Sequence, residues 1–428
     1  MSDVPSGVDG AAVAGDAFGF TVLGGMTRAI RERFARGVVT MKANDCDVRC
    51  AIVMRRALAH ATRRALASSS FAAPTVGPLP PSVRSTSTSY AREMSTLCVL
   101  AAPSLLASKP LTDRLRAETP KEFDIVLGSE IEDFKDVIDG AKSRDEVSML
   151  WWFAKKELVE GFMASASVGE RVRWMHSGSA GVEHLLAVDA VKNHSAPLSN
   201  GKGAFSASLG EWGVFACMYF AKRVDVMRKA QSERRWIREH VGMIEGKRMC
   251  VVGYGDIGAH VASRAKAMGM HVDAVRRSPE KTSANDSSVE RVVSFAEIND
   301  AVKDADYVVV ALPATPETEK MINADVLRSM KPSSVLINVG RGSTVDEDAL
   351  VDALRDKTIA GAALDVFAVE PLPSDHAFYG MENVLISFHC ADLTADYHDL
   401  ALDCFIENAT NVVKGQPLTH VVDKALGY

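Results

Sequence analysis

The chain has 428 residues, 47% of them hydrophobic, and a formal net charge of -6. That length supplies enough apolar material for two cores, and the acidic balance excludes a protein built mainly to hold a nucleic-acid backbone. No apolar run approaches the roughly 18 uninterrupted residues that span a membrane, so no membrane partner is expected. The seven cysteines form no CxxC pair and no Cys/His cluster at metal spacing, which predicts reduced, buried thiols and no metal site.

The first 93 residues read as a disordered leader. Between Met54 and Arg92 stand six arginines (Arg55, Arg56, Arg63, Arg64, Arg84 and Arg92) and no Asp or Glu. Serine and threonine crowd its second half, and Pro74, Pro78, Pro80 and Pro81 interrupt it. An arginine-rich, acid-free segment over 54–92 has the composition of an organelle transit peptide, addressed to a mitochondrion or plastid. A plain linker would share that composition and leave the protein cytoplasmic. Residues 1–53 carry neither a basic n-region nor a periodic pattern, which makes Met54 a candidate start.

Past Met94 short apolar runs alternate with amphipathic stretches. Strands are predicted over 97–101, 123–127, 149–153, 249–252, 271–275, 307–312, 335–339, 359–366 and 384–388. Continuous apolar strands separated by helices predict α/β architecture with parallel sheets covered on both faces. Over 209–231, Trp212, Phe215, Ala216, Tyr219, Phe220, Val226 and Met227 recur at helical spacing, which predicts one long helix that connects two domains and suits a subunit contact.

The segment 247–279 is the most informative. A strand runs into Gly253-Tyr254-Gly255-Asp256-Ile257-Gly258 and then into a helix. Gly253 suits a tight turn, Gly255 a close backbone approach to a pyrophosphate, and Gly258 tight helix–strand packing. The amides at the helix start then face the phosphates. At the end of the second strand, where an acid usually holds the ribose 2′-hydroxyl of NAD, the chain has Arg276-Arg277-Ser278. Two guanidiniums and a hydroxyl suit a 2′-phosphate, so NADP is expected, with use of NAD as the alternative. Asp273 lies mid-strand, where its side chain need not face the ribose.

Over residues 95–428 the chain resembles the D-isomer-specific 2-hydroxyacid dehydrogenases. The resemblance rests on the glycine loop, on Leu312-Pro313-Ala314-Thr315-Pro316-Glu317-Thr318, and on Ile337-Asn338-Val339-Gly340-Arg341-Gly342-Ser343-Thr344-Val345-Asp346. It also rests on Ala363-Leu364-Asp365-Val366-Phe367, Glu370-Pro371-Leu372-Pro373, Ser387-Phe388-His389-Cys390-Ala391 and the stretch 421–428. It implies a doubly wound Rossmann domain over 206–386 that binds NAD(P). A flavodoxin-like substrate domain over 95–205 would be completed by 387–428, with a helix over 395–414 ended by Gly415 and Pro417. A homodimer is implied as well.

The family reading also assigns roles. Arg341 grips the carboxylate of a 2-oxo acid and polarises its carbonyl, His389 supplies the proton, and Glu370 keeps the imidazole protonated and oriented. Asp365 lies beside the nicotinamide, while Leu312, Pro313, Thr318, Val339 and Gly340 line the cofactor face. Ser179, Ala180 and Gly181 belong to a loop whose amides hold the substrate carboxylate, and glycines at 178 and 181 are compatible with an anion nest. Trp151 and Trp152 are candidates for the pocket wall.

The family commonly has Thr-Pro before the histidine and Ile after it, where this chain has Ser387-Phe388 and Cys390. Acids are frequent where it has Phe367-Ala368-Val369. Both departures reshape the pocket. Formate dehydrogenases, which share the fold, usually have Gln where this chain has Glu370. About forty residues follow His389, too few for the regulatory domain of some phosphoglycerate-oxidising relatives. The expected reaction is reduction of glyoxylate or hydroxypyruvate to the D-2-hydroxy acid. A dinucleotide-responsive binding module of the corepressor kind, without turnover, is the alternative.

Overall fold

The computed structural model describes residues 95–140 and 146–428. The expected leader and transit segment, with Cys46 and Cys50, lie outside the described residues.

Two sheets organise the chain, and every strand ladder in them is parallel. In the first, β1 (Ser95–Ala101), β2 (Phe123–Gly128), β3 (Val147–Trp152), β4 (Val172–Ser177) and β5 (Leu198–Asn200) run in the order β2-β1-β3-β4-β5. This is the flavodoxin-like order. In the second, β6 (Arg248–Val252), β7 (His271–Val275), β8 (Arg291–Val293), β9 (Tyr307–Val310), β10 (Val335–Asn338), β11 (Gly361–Leu364) and β12 (Val384–Ile386) run β12-β11-β10-β9-β6-β7-β8. That is the doubly wound dinucleotide order with a seventh strand added, and it reverses between β6 and β9.

The unbroken apolar runs follow from burial on both faces. Cys250, Val252, Val308, Val310 and Leu336 enter one core cluster, while Met249, Val251, Val309, Val335 and Ile337 enter another. Successive strand residues thus serve opposite faces, and both faces are dry. Strands β4, β5 and β8 escaped the sequence reading. The first mixes polar residues with apolar ones, and the other two are three residues long.

The expected continuous helix over 209–231 is two helices, Ser206–Ala221 and Val224–Ser232. The break has a local cause: the Ala221 carbonyl accepts from the Gly242 amide at 2.7 Å, and Arg223 takes φ 53°. A carbonyl occupied from outside the helix is lost to the next turn. The first helix lies against the helix Asp256–Ala267 through its glycines, since a Cβ at Gly210 would sit 3.0 Å from His260 backbone and one at Gly213 3.2 Å from Val261. The thiols of Cys98, Cys217 and Cys250 are buried as expected, but Cys390, beside His389, is exposed.

The helix Tyr397–Val413 carries Leu402, Phe405 and Ala409 into the core of the first sheet and Ala401 into that of the second. Phe405 stacks on Trp174 with centroids 5.5 Å apart. Arg114, 12% exposed, pairs with Asp399 at 2.7 Å and with Asp403. No described helix is long and apolar enough to cross a membrane. Replacing Phe405 by Ala should cost about 3–5 kcal/mol in chemical denaturation, because the stacked ring is 1% exposed and its volume cannot be refilled locally.

Candidate active site

The site is built first by glycines. Gly253 has φ 101°, and a Cβ there would sit 2.6 Å from the Ala311 carbonyl oxygen, at the end of β9. A Cβ at Gly258 would sit 2.2 Å from Gly253 O. Gly255 differs, because a Cβ there would meet nothing within 4 Å, yet the residue lines the central cavity. No protein atom requires glycine at 255, so the open space before the helix start fits a ligand that approaches the backbone, as a pyrophosphate does.

That cavity measures about 710 Å³ and lies at the carboxyl ends of β6, β7, β9, β10 and β11. Arg276, Arg277 and Ser278 line it beyond β7. Arg276 donates to Thr282 Oγ1 at 3.0 Å, and Arg277 donates to Tyr428 Oη at 2.7 Å and pairs with Glu317. Asp273 is 6% exposed and lies 3.4 Å from Arg248 and 3.7 Å from Arg291, so it is committed to a structural ion pair. Tyr254 donates to Asp286 at 2.8 Å and braces the loop. Thr318 reaches the cavity, but its hydroxyl donates to Pro313 O at 2.6 Å and shapes the 312–318 turn.

The chemistry-bearing side chains gather on the other sheet ends. Gly340 and Gly342 flank Arg341, and a Cβ on either would collide with the backbone of Leu312 or Phe367, at 2.6 and 1.8 Å. The guanidinium donates through Nε to Glu183 Oε1 at 2.8 Å and through Nη1 to Gly340 O at 2.8 Å. His389 Nδ1 meets Glu370 Oε2 at 2.7 Å, and Glu370 Oε1 accepts from the Phe367 amide at 2.9 Å. The bond to Glu370 outweighs burial and raises the His389 pKa above its ordinary value. Burial pushes the Glu370 carboxyl up, but the bonds from His389 and the Phe367 amide prevail and hold it below its ordinary value.

His389 and Phe388 both have positive φ, 53° and 56°. Proline, which the family resemblance leads one to expect at 388, is locked near φ -65° and could not take this turn. The strained turn is held by Asp365, which is 1% exposed. Its Oδ1 accepts from Ser387 Oγ at 2.6 Å and from the Cys390 and Ala391 amides at 3.1 Å each. Burial raises the Asp365 pKa, with those donors working against the rise.

Ser179, Ala180 and Gly181 also line the cavity, opposite Arg341. Neither Gly178 nor Gly181 has positive φ, so the nest geometry expected of the glycines is not formed. Gly181 is needed for clearance instead, since a Cβ there would sit 2.0 Å from Arg341 Nη2. Trp151 lines the cavity and packs against His184 with tilted rings 3.9 Å apart, while Trp152, one residue on, is buried in the core on the other face. Of the residues proposed from sequence, all reach the cavity wall except Gly258, packed beneath the loop, Glu370, behind His389, and Trp152, in the core. Sequence reading missed Glu183, Asn200, Asp392 and Tyr397. Glu183 stood in plain view, as an acid directly after Ser179-Ala180-Gly181-Val182, but its partner is 158 residues away. Asn200 holds the same loop by donating to Ala180 O at 2.7 Å.

Known proteins fit this arrangement. The family model described as D-isomer specific 2-hydroxyacid dehydrogenase, NAD binding domain, matches residues 214–391. Glyoxylate/hydroxypyruvate reductase A of Photorhabdus laumondii is 30% identical over 257 residues, covering 58% of this chain and 79% of its own. Glyoxylate reductase of Korarchaeum cryptofilum is 29% identical over 263 residues, covering 59% and 77%. A crystal structure of a D-isomer specific 2-hydroxyacid dehydrogenase from Xanthobacter autotrophicus, in complex with NADPH and MES, is 27% identical. It superposes with a TM-score of 0.65 and covers 78% of this chain and 100% of that one. With the sheet order, the glycine loop and these matches in hand, the chain belongs to the D-isomer-specific 2-hydroxyacid dehydrogenase family and is an oxidoreductase.

Proposed function

We propose that the protein reduces a small 2-oxo acid of the glyoxylate or hydroxypyruvate kind to its D-2-hydroxy acid, with NADPH as the donor. The observation that carries this reading is the His389–Glu370 pair at 2.7 Å, whose histidine lines a cavity that also holds Arg341 and the open glycine loop. The relatives named as glyoxylate and hydroxypyruvate reductases support the substrate class, and Arg276, Arg277 and Ser278 support the 2′-phosphate.

When bound, the dinucleotide supplies the hydride that adds to C2 of the substrate. Arg341 takes the substrate carboxylate and stabilises charge growing on the carbonyl oxygen. Its fixed bonds to Glu183 and Gly340 O hold it in place, so little reorganisation is required as charge develops. Amides of 179–181 serve the same carboxylate. His389 gives its proton to the new alkoxide, and Glu370 stabilises the imidazolium beforehand and fixes the ring. Asp365 holds the turn that carries His389 and lines the cavity, where it would face the nicotinamide.

The domain division at 205/206, the homodimer and the organelle address belong to the same proposal. Trp236, Val241 and Met243 are 92%, 46% and 63% exposed, which is surface suited to a second copy. A monomer in sedimentation of the full chain would remove the dimer, and a diffuse cytosolic signal from a tagged full chain would remove the address carried by 54–92.

His389→Ala should lower kcat by about 10²–10⁴-fold with glyoxylate or hydroxypyruvate, followed as loss of NADPH absorbance, with nucleotide binding kept. No turnover by folded wild-type protein that still binds nucleotide would sink the reductase reading in favour of a binding module. The second expectation concerns pH. Reduction needs protonated His389, so its rate is held below the raised pKa and lost as pH climbs through it. Glu370→Gln removes the charge that raises that pKa, so the alkaline limb of the pH–rate profile should move down by about one unit. An unmoved limb would mean that Glu370 does not tune His389.

A further inference from the structure

The segment 420–428 is tied to the first sheet and ends on the second. Val421 bridges to Ser199, and the Val422 amide donates to Leu198 O at 2.7 Å, with the Val422 side chain in that lobe's core. Lys424 Nζ donates to the carbonyls of Val191, His194 and Ala196 at 3.2, 2.8 and 2.7 Å. Asp423 accepts from the amides of Ala425 and Leu426 at 3.0 and 3.1 Å, and its own amide donates to Tyr428 O at 3.1 Å. This closed turn fixes Tyr428 on the substrate lobe. Its hydroxyl accepts from Arg277 Nη1 at 2.7 Å, and the guanidinium carbon lies 5.5 Å from its ring centroid.

The other nitrogen of Arg277 pairs with Glu317, from the 312–318 turn. The guanidinium at the end of β7 is therefore shared between a neutral partner from the substrate lobe and an anionic one from its own lobe. A carboxylate on that guanidinium occupies the bonding position that a phosphate would take.

We propose that Tyr428 and Glu317 tune the preference of Arg277 for a 2′-phosphate in opposite directions: Glu317 competes for the place of the phosphate and limits the preference, and Tyr428 keeps the guanidinium aimed and supports it. This rests on the NADPH reading above. A phosphate monoester carries nearly two charges and three acceptor oxygens, so it displaces a single carboxylate, whereas a ribose 2′-hydroxyl leaves the Arg277–Glu317 pair intact. Selectivity thus depends on an exchange of anions at one guanidinium. Because Tyr428 is pinned to the other lobe, the same contact ties the adenosine end of the cofactor to the substrate lobe.

The test uses the full chain and calorimetric dissociation constants for 2′,5′-ADP and 5′-AMP, two probes that need no catalysis. Wild-type protein should prefer 2′,5′-ADP. Glu317→Gln removes the competing charge and should tighten 2′,5′-ADP by about three- to fivefold, the range of a partly screened ion pair. Tyr428→Phe keeps the ring, removes the acceptor, and should weaken 2′,5′-ADP by about the same factor. Neither variant should move 5′-AMP by more than about twofold. Opposite signs on one ligand only are not produced by general damage to the pocket. Equal effects on both ligands, or none, would overturn the proposal while the wild-type preference stood. Absence of that preference would overturn the NADPH reading itself.

Discussion

Four strand ends of the second sheet approach one another backbone to backbone, and the cavity depends on that approach. Gly253 after β6 and Gly340 after β10 both face the backbone of 311–312 after β9, and Gly342 faces the backbone of Phe367 after β11. Any side chain in these gaps would drive the strand ends apart, because a Cβ would sit between 1.8 and 2.6 Å from a backbone atom. Only hydrogen fits there. The tight floor leaves open space in front of Gly255 and fixes the exit direction of Arg341, so the glycine loop and the residue proposed to bind the substrate carboxylate are positioned by one steric constraint.

Electrostatics then divides the cavity. Three groups at the expected chemistry each have a counterpart: Arg341 has Glu183, His389 has Glu370, and Asp365 has a hydroxyl and two amides. Partnered charges cost less to keep in a partly dry cleft, and they lose little solvation when substrate displaces water. The positive φ at Phe388 and His389 is backbone strain at the residue proposed to carry the proton, and Asp365 offsets it with three hydrogen bonds. The two lobes share this arrangement, since Glu183 and the 179–181 loop come from the first sheet and the rest from the second.

Much of this was legible in the residues. Strand-length apolar runs announced parallel sheets because both faces of each sheet are buried, which removes the alternation that an exposed face would show. The glycine loop was readable because its three glycines fall at a fixed spacing within six residues, between a strand and a helix. Arg341, Glu370 and His389 were named from the family resemblance that their flanking motifs carry, and the structure places Glu370 against His389, with His389 and Arg341 on one cavity. Two of the misses share one cause. The helix over 209–231 broke because Gly242 takes the Ala221 carbonyl, and Glu183 was overlooked because Arg341 lies 158 residues on. Both depend on partners that no local window contains.

What the sequence determined by itself was element type, order and the kinds of chemistry present, because periodicity, turn residues and glycine placement act over a few positions. Tertiary structure alone decided which charges are paired, that Gly181 is needed for clearance and not for a nest, and that Arg277 is shared by Tyr428 and Glu317. These are facts about distance between residues remote in the chain. The physical reason is that backbone preferences are local, whereas Coulomb and steric contacts act through space and exist only once the sheets have brought their strand ends together.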